Sequence, residues 1–311
     1  MKAIRIHSYG DVETLRYEDA PMPEPGADDV RVRVHAAAVN PVDWKIRAGY
    51  LAAMVPHQLP LILGWDVSGV IDKVGADVTH LSVGDAVYSR PDIIRDGSYA
   101  EYMVVRASEV AARPETLSHN EAAAVPLAGL TAWQGLFDHA KLKKGERVLI
   151  HAGAGGVGSF AIQLAKWAGA HVIATGSAGS EALIRDLGAD GFVNYRTQRF
   201  EEVLAKVDVV LDTIGGDTQA RSIPLLRSGG RLISVVGAPD ADALAAVGAT
   251  GGAFMVQPSS ENLGSIAQLI DAGSVRVLID SVFPLSETRA AHEKSQTGRA
   301  KGKIVLEVVP A

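Results

Sequence analysis

The segment 147–176, RVLIHAGAGGVGSFAIQLAKWAGAHVIATG, constrains the fold of this chain more than any other. A short apolar run leads directly into Gly153, Gly155 and Gly158 at G-x-G-x-x-G spacing; an amphipathic stretch follows, and a second apolar run begins at His171. Three glycines at this spacing occur widely on their own. Strand, glycine turn, helix and second strand together describe the opening of a βαβ unit built to hold a dinucleotide. The first glycine permits the tight turn, the second lets the backbone approach a pyrophosphate, and the third lets the helix pack closely on the strand. Gly156 and Val157 complete the expected cradle, because the unpaired N–H groups and the dipole at a helix start favour an anion. The bland alternative is a tight βα turn with no ligand.

The surroundings extend this pattern. From about residue 120, short apolar segments such as HVIATG, DVVLDTIG and RLISVVG alternate with longer amphipathic ones such as SEALIRDLGAD, FEEVLAKV and TQARSIPLLRSGG. That rhythm predicts a doubly wound α/β domain with a parallel sheet covered on both faces. Ser118 and Glu121 form a capping-box signal for a helix just before it. The first 110 residues instead carry short alternating runs (KAIRIH, DVRVRVHAAAV, DVSGVIDKVG, AEYMVV) broken by PMPEPG, NPVD and SVGD, the signature of a compact, mainly β unit. The tail, with SVRVLIDSVFPL and GKIVLEVV, is too short to fold alone and is expected to rejoin that β-rich unit. The domains expected are therefore 1–122 with 256–311, and 123–255.

Composition narrows the function. At 311 residues and 47% hydrophobic, the chain can bury two cores, and its net charge of −6 offers no basic excess for nucleic acid or an anionic membrane. The opening MKAIRIHSYG alternates like a strand and lacks the apolar core of a signal peptide, so a soluble cytoplasmic protein is expected. The absence of cysteine removes thiolate catalysis and every cysteine-based zinc site. The nine histidines are scattered, with no pair at the i, i+4 spacing of helical metal ligands.

The end of the second strand bears on the choice of dinucleotide. An acid about 20 residues beyond the glycine turn would accept the ribose 2′-OH of NAD and repel a 2′-phosphate. Here HVIATGSAGS offers Gly176, Ser177 and Ser180 instead, and the next strand end, VNYRTQR, adds Tyr195 as a donor and Arg196 or Arg199 as charge. This pattern favours NADP(H). The alternative is that these are ordinary surface loop residues and selectivity is weak.

Taken in order, AVNPVDWKIRAGY, GWDVSGVIDKVG, GSYAEYMVV, GLTAWQGL, GERVLIHAGAGGVGSFAIQLAKWAGA and GKIVLEV resemble the medium-chain dehydrogenase/reductase superfamily, and most closely its zinc-independent quinone oxidoreductase branch. The resemblance spans essentially the whole chain. It implies a GroES-like β-rich catalytic domain and a Rossmann cofactor domain, with the cofactor in the cleft between them. Where zinc-dependent relatives carry a cysteine, a Gly-His-Glu element and a third ligand, this sequence has Asn40, Trp65-Asp66 and Ala128, which is no zinc ligand set.

Without a Lewis acid an unactivated alcohol or carbonyl is a poor substrate, whereas a conjugated acceptor needs only donors for the charge that develops on its oxygen. The resemblance thus implies NADPH-dependent reduction of a quinone or an α,β-unsaturated carbonyl. It also implies Asn40 as an oxygen-directed donor and Tyr50 as an auxiliary donor or proton source. By the same resemblance Asp43 and Trp65 are expected close by in the cleft, with Phe254 and Met255 as an apolar wall and with Thr131 and the backbone at Val236-Gly237 against the nicotinamide. Two other readings are an enoyl-thioester reductase and an NADPH-binding protein without turnover. GGAFMV is a candidate edge strand for a homodimer.

Overall fold

The computed structural model describes residues 1–309. The strands of the first part of the chain are β1 (Lys2–Ile6), β2 (Arg16–Asp19), β3 (Asp29–Val39), β4 (Leu61–Ile62), β5 (Val67–Val74), β6 (Ala86–Ser89), β7 (Tyr102–Arg106) and β8 (Val110–Ala112). They are followed by β9 (Arg147–Ile150), β10 (His171–Gly176), β11 (Gly191–Asn194), β12 (Val207–Asp212), β13 (Leu226–Ser234) and β14 (Thr250–Ala253). Last come β15 (Ile279–Pro284) and β16 (Lys303–Glu307). The chain divides into two compact units: residues 1–127 with 257–273 and the segment from 277 onward, and residues 128–256 with 274–276. Among the described residues no helix is long and apolar enough to cross a membrane.

The first unit is β-rich. The long strand β3 pairs antiparallel with β5, β7 and β16, so the returning tail extends the sheet built by the N-terminal segment from the edge of β3. Alternation drives this arrangement. Val30, Val32 and Val34 point into one apolar cluster with Val67, Ile71, Val87 and Met103, while Arg31 and Arg33 take the other side. A second cluster gathers Ile6, Ile46, Leu63, Trp65, Tyr99 and Leu306 beneath the three-stranded sheet β2-β1-β4. The Ser118 capping box forms as expected: Ser118 Oγ accepts from the Glu121 N–H, and the Glu121 carboxylate accepts from the Ser118 N–H. A helix in the tail spans Ser260–Asp271 and buries Leu263, Ile266, Ala267 and Ile270, one stripe at helical spacing.

The second unit is a six-stranded sheet in the order β11-β10-β9-β12-β13-β14, with every pairing parallel. This is the doubly wound Rossmann order, in which the chain steps outward from β9 through β10 and β11 and then returns to β9's other side as β12. The reversal creates a crevice at the carboxyl end of β9, where the glycine turn leaves the sheet. One boundary differs from the sequence pattern. TQARSIPLLRSGG reads as one amphipathic segment, but the helix Gly216–Ser222 gives way to a short turn at Pro224, and β13 already begins at Leu226. Proline removes an N–H and cannot continue the helix, so the following apolar pair is free to join the sheet.

Candidate active site

In the second unit the glycine turn has the dimensions a dinucleotide needs. Gly153 N–H donates to Thr175 O at 2.8 Å, fastening the turn to the end of β10, and Gly155 N–H donates to Ala152 O at 2.9 Å. A Cβ on Gly158 would lie 2.3 Å from Ala152 O, so only glycine allows this helix to approach the turn. The helix Gly156–Trp167 starts at Gly155 without a side-chain cap. With Gly156 and Val157 in its first turn, its leading N–H groups are left to a ligand. His151 sits beneath, buried, with Nδ1 3.2 Å from Thr175 Oγ1 and Nε2 2.8 Å from Ser222 Oγ. These residues fit a dinucleotide pyrophosphate.

The selectivity residues separate into two kinds. Gly176 is buried, and a Cβ there would meet Ile184 Cδ1 at 2.6 Å and Phe192 Cε2 at 3.1 Å, so its role is first one of packing. Ser177 is more open, its Oγ 3.3 Å from that of the buried Ser180. Tyr195 is exposed, with the Arg196 guanidinium 5.9 Å from its ring centre. Arg199 is engaged by Glu201 and Glu202, whereas Arg196 makes no ion pair among the described residues. Ser177, Tyr195 and Arg196 are thus the groups available to a 2′-phosphate.

Elsewhere in this unit, sheet pairing of β13 stops at Ser234, two residues before Val236. The segment beyond is held by Asp212, which accepts from Ser234 Oγ and from Gln219 Nε2, both at 2.9 Å; Gln219 Nε2 also donates to Gly237 O. Phe254 lies against His139 with ring centres 4.3 Å apart, Met255 is partly exposed, and Thr131 is buried in the helix Pro126–Trp133.

In the first unit, Asn40 caps the helix Pro41–Arg47 and joins a buried polar cluster. Asn40 Nδ2 donates to Asp66 Oδ2 at 2.8 Å. Lys303 Nζ donates to the same Asp66 oxygen at 2.9 Å and also to Asn40 Oδ1. Asp66 Oδ1 accepts from Leu127 N–H at 2.6 Å. Lys303 is 4% exposed and Asp66 0%, so the ion pair is shut away from water. Burial pushes the Asp66 carboxyl up, against the pull of Lys303 and Asn40. Asp43 Oδ2 accepts from Asn40 N–H and from Tyr99 Oη, both at 2.7 Å, while its Oδ1 is buried without a partner. Desolvation raises Asp43 to about 7. Trp65 is fully buried, donating from Nε1 to Arg95 O at 3.2 Å.

Asn40 and Asp43 therefore come together, Trp65 packs in the apolar core with its ring 5.7 Å from that of His57, and Tyr50 stands apart. It is 73% exposed, edge-on to Trp44 at 6.2 Å, and has no hydrogen bond to the Asn40 cluster. Lys303 and Tyr99, which complete the cluster, were not evident as functional residues. The available signal was a lysine opening the apolar run KIVLEV, where its ammonium would need a buried partner.

Comparison with known proteins places this geometry. Residues 26–115 match the model of the alcohol dehydrogenase GroES-like domain, and residues 187–306 that of the zinc-binding dehydrogenase domain. The 2-methylene-furan-3-one reductase of Solanum lycopersicum is 38% identical, the match covering 100% of this chain and 80% of that protein. The structure of the quinone oxidoreductase from Coxiella burnetii superposes with a TM-score of 0.94 at 36% identity, covering 99% of each chain. The chain belongs to the medium-chain dehydrogenase/reductase superfamily, in its quinone oxidoreductase branch. It is an oxidoreductase. The Escherichia coli quinone oxidoreductase, solved in complex with NADPH, is a further structural match for this oxidoreductase, with TM-score 0.90 and 29% identity over 99% of this chain and 100% of that one.

The zinc in the family model's description has no counterpart in the donor set described above. Among the described residues of this oxidoreductase, no three His, Cys, Asp or Glu side chains are grouped to hold a metal ion. A cation is present in the cluster nonetheless: the ammonium of Lys303, bonded to both Asn40 and Asp66.

Proposed function

We propose that this oxidoreductase reduces a quinone or an α,β-unsaturated carbonyl with NADPH and without a metal. The observation that carries the reading is the Lys303–Asn40–Asp66 cluster. At the positions where zinc-dependent relatives hold their metal, a lysine ammonium already satisfies the carboxylate and the amide. A zinc ion would have to displace that charge from a site that lacks thiolate and imidazole donors. The names of the matched proteins agree with it: a methylene-furanone reductase, and quinone oxidoreductases, one of them bound to NADPH.

When bound, the dinucleotide supplies a hydride, and the protein's work is to hold, orient and keep dry. The leading N–H groups of the helix at Gly156, Val157 and Gly158 take the pyrophosphate, with Gly153 and Gly155 shaping the turn, and Ser177, Tyr195 and Arg196 take the 2′-phosphate. Gln219 and Asp212 fix the backbone at Val236-Gly237 for the nicotinamide carboxamide. Asn40 has its amide orientation set by Lys303 and Asp66, which leaves one Nδ2 hydrogen to aim at an acceptor oxygen. The open edge of β14 supports a homodimer formed by strand pairing. A cytoplasmic setting without nucleic-acid partners belongs to the same reading, supported by the net charge of −6.

The test is turnover of NADPH with a benzoquinone, a naphthoquinone, an alkenal and a crotonyl thioester, paired with the variant Ser177→Asp. Quinone or alkenal should be reduced and the thioester should not. Ser177→Asp should weaken NADPH by roughly tenfold or more relative to NADH, because its carboxylate repels the 2′-phosphate. Gly176→Asp is a poorer probe, since its Cβ would collide with Ile184. Exclusive turnover of the thioester, or an equal effect on both cofactors, would overturn the reading.

A further inference from the structure

One guanidinium in the first unit is not accounted for by the cluster described above. Strands β5 and β6 pair antiparallel, and their ladder ends at Val67 opposite Ser89, so Asp66 and Arg90 are the next residues out on the two strands. Arg90 is 2% exposed. Its Nε is buried with no hydrogen-bond partner, and the side chain makes no hydrogen bond or ion pair among the described residues.

The carboxylates whose field reaches Arg90 are Asp66, Asp92, Glu109 and Asp43; each bonds to other groups, and only Asp43 Oδ1 is left without a partner. Asp66 is taken by Lys303, Asn40 and the Leu127 N–H. Asp92 Oδ2 accepts from Arg106 at 2.7 Å, Glu109 from the same guanidinium at 2.9 Å and from the Asp92 N–H at 3.0 Å. Asp43 Oδ2 is bonded to Asn40 N and Tyr99. Arg90 thus lies in the field of these carboxylates without a hydrogen bond to any of them. A buried polar group left unpartnered calls for an explanation, and a ligand oxygen that accepts from it is one.

We propose that Arg90 is a catalytic residue that binds the acceptor's oxygen and holds the negative charge that gathers there during reduction. This rests on the quinone and enone reading. In an enone, the acceptor receives a hydride at its β-carbon; the C=C π pair shifts toward the carbonyl, the C=O bond opens, and the oxygen becomes an enolate. A proton from water on the α-carbon completes the saturated ketone, and the oxidised dinucleotide is left. A neutral carbonyl is a modest partner for a guanidinium, whereas an enolate or hydroquinone anion takes a charge-assisted bond, strengthened where water is excluded. The interaction thus grows toward the transition state, which is the condition for raising kcat. Lys303 cannot serve in this way, because Asp66 and Asn40 already hold its ammonium.

The experiment compares wild type, Arg90→Met, Arg90→Gln and Arg90→Lys in the full-length protein. The measurements are Tm, NADPH affinity by nucleotide fluorescence, kcat and KM on an alkenal and a naphthoquinone, and the ionisation of bound 4-nitrophenol in the presence of NADP+. Arg90→Met should leave the protein folded and its NADPH affinity unchanged, since the side chain makes no hydrogen bond that its loss would break. Its kcat should fall about 10²-fold, the usual loss on removing one oxyanion donor, with Arg90→Lys recovering part of it. Bound 4-nitrophenol should ionise at lower pH than the free phenol in wild type and lose that shift in Arg90→Met and Arg90→Gln.

A kcat within threefold of wild type together with an unchanged nitrophenol shift would overturn the proposal. So would a joint collapse of Tm and NADPH affinity, which marks a structural arginine. If wild type reduces none of the acceptors yet the nitrophenol shift depends on Arg90, the oxyanion role stands and the substrate reading fails.

Discussion

At the scale of single residues, the decisive pair is Lys303 and Asp66. Removing one member leaves the other as an uncompensated buried charge, whereas removing both leaves only a volume to fill. Lys303→Met should therefore destabilise the protein by about 3–5 kcal/mol, and the double variant Lys303→Met/Asp66→Asn should recover a large part of that loss. Urea unfolding of the four members of the cycle measures the coupling. Additive losses would show that the two charges do not depend on each other. Asn40 was a candidate because the family resemblance implied a donor there. Its partners were not, since nothing in the sequence links position 40 to position 303.

At the scale of elements, the glycine turn combines one residue that must lack a side chain with one that would do better without it. Gly158 touches the Ala152 carbonyl, and Gly158→Ala should cost about 1–3 kcal/mol through overpacking while weakening NADPH binding. Ala152 itself has φ of 52°, a left-handed conformation that costs an L-residue about 1–2 kcal/mol. Ala152→Gly should accordingly preserve or raise Tm. Thermal unfolding of both variants with and without NADPH checks the pair, and a fall in Tm for Ala152→Gly would refute the strain. The G-x-G-x-x-G spacing announced the turn. The strained alanine inside it carried no sequence mark, because only the turn's closure onto Thr175 sets that backbone angle.

At the scale of the whole molecule, three desolvated histidines, two buried and one half-buried, should govern the response to acid. Desolvation lowers His119 and His151 to about 4 and His292 to about 3. His119 and His292 belong to the first unit and His151 to the second. Their folded values lie below the ordinary 6.5, so the unfolded chain binds more protons as pH falls from about 6.5 to 4. The stability they give is complete above 6.5 and is lost through that window. Asp43, raised to about 7, works in the opposite sense: its contribution is complete below 3.8 and lost as pH rises through 7, which offsets only part of the histidine effect. Stability should thus decline in acid in both units. His292→Gln keeps an acceptor for Arg47, whose Nη1 lies 3.2 Å from His292 Nδ1, and should remove roughly one proton's worth of slope, about 1.4 kcal/mol per pH unit. Urea midpoints from pH 4 to 7 test this; superimposable profiles for variant and wild type would refute it.

By itself the sequence determined the architecture. Hydrophobic period and glycine placement are local properties, and they sufficed for a β-rich unit, a doubly wound parallel sheet and the pyrophosphate turn. Tertiary structure alone decided which charges meet. Lys303 joins Asn40 and Asp66 only because β16 pairs with β3, and Arg90 comes to lie beside Asp66 only because β6 pairs with β5 in one register. Contacts of that kind are set by strand order across hundreds of residues, and a buried polar group's partner cannot be inferred from its neighbours in the chain.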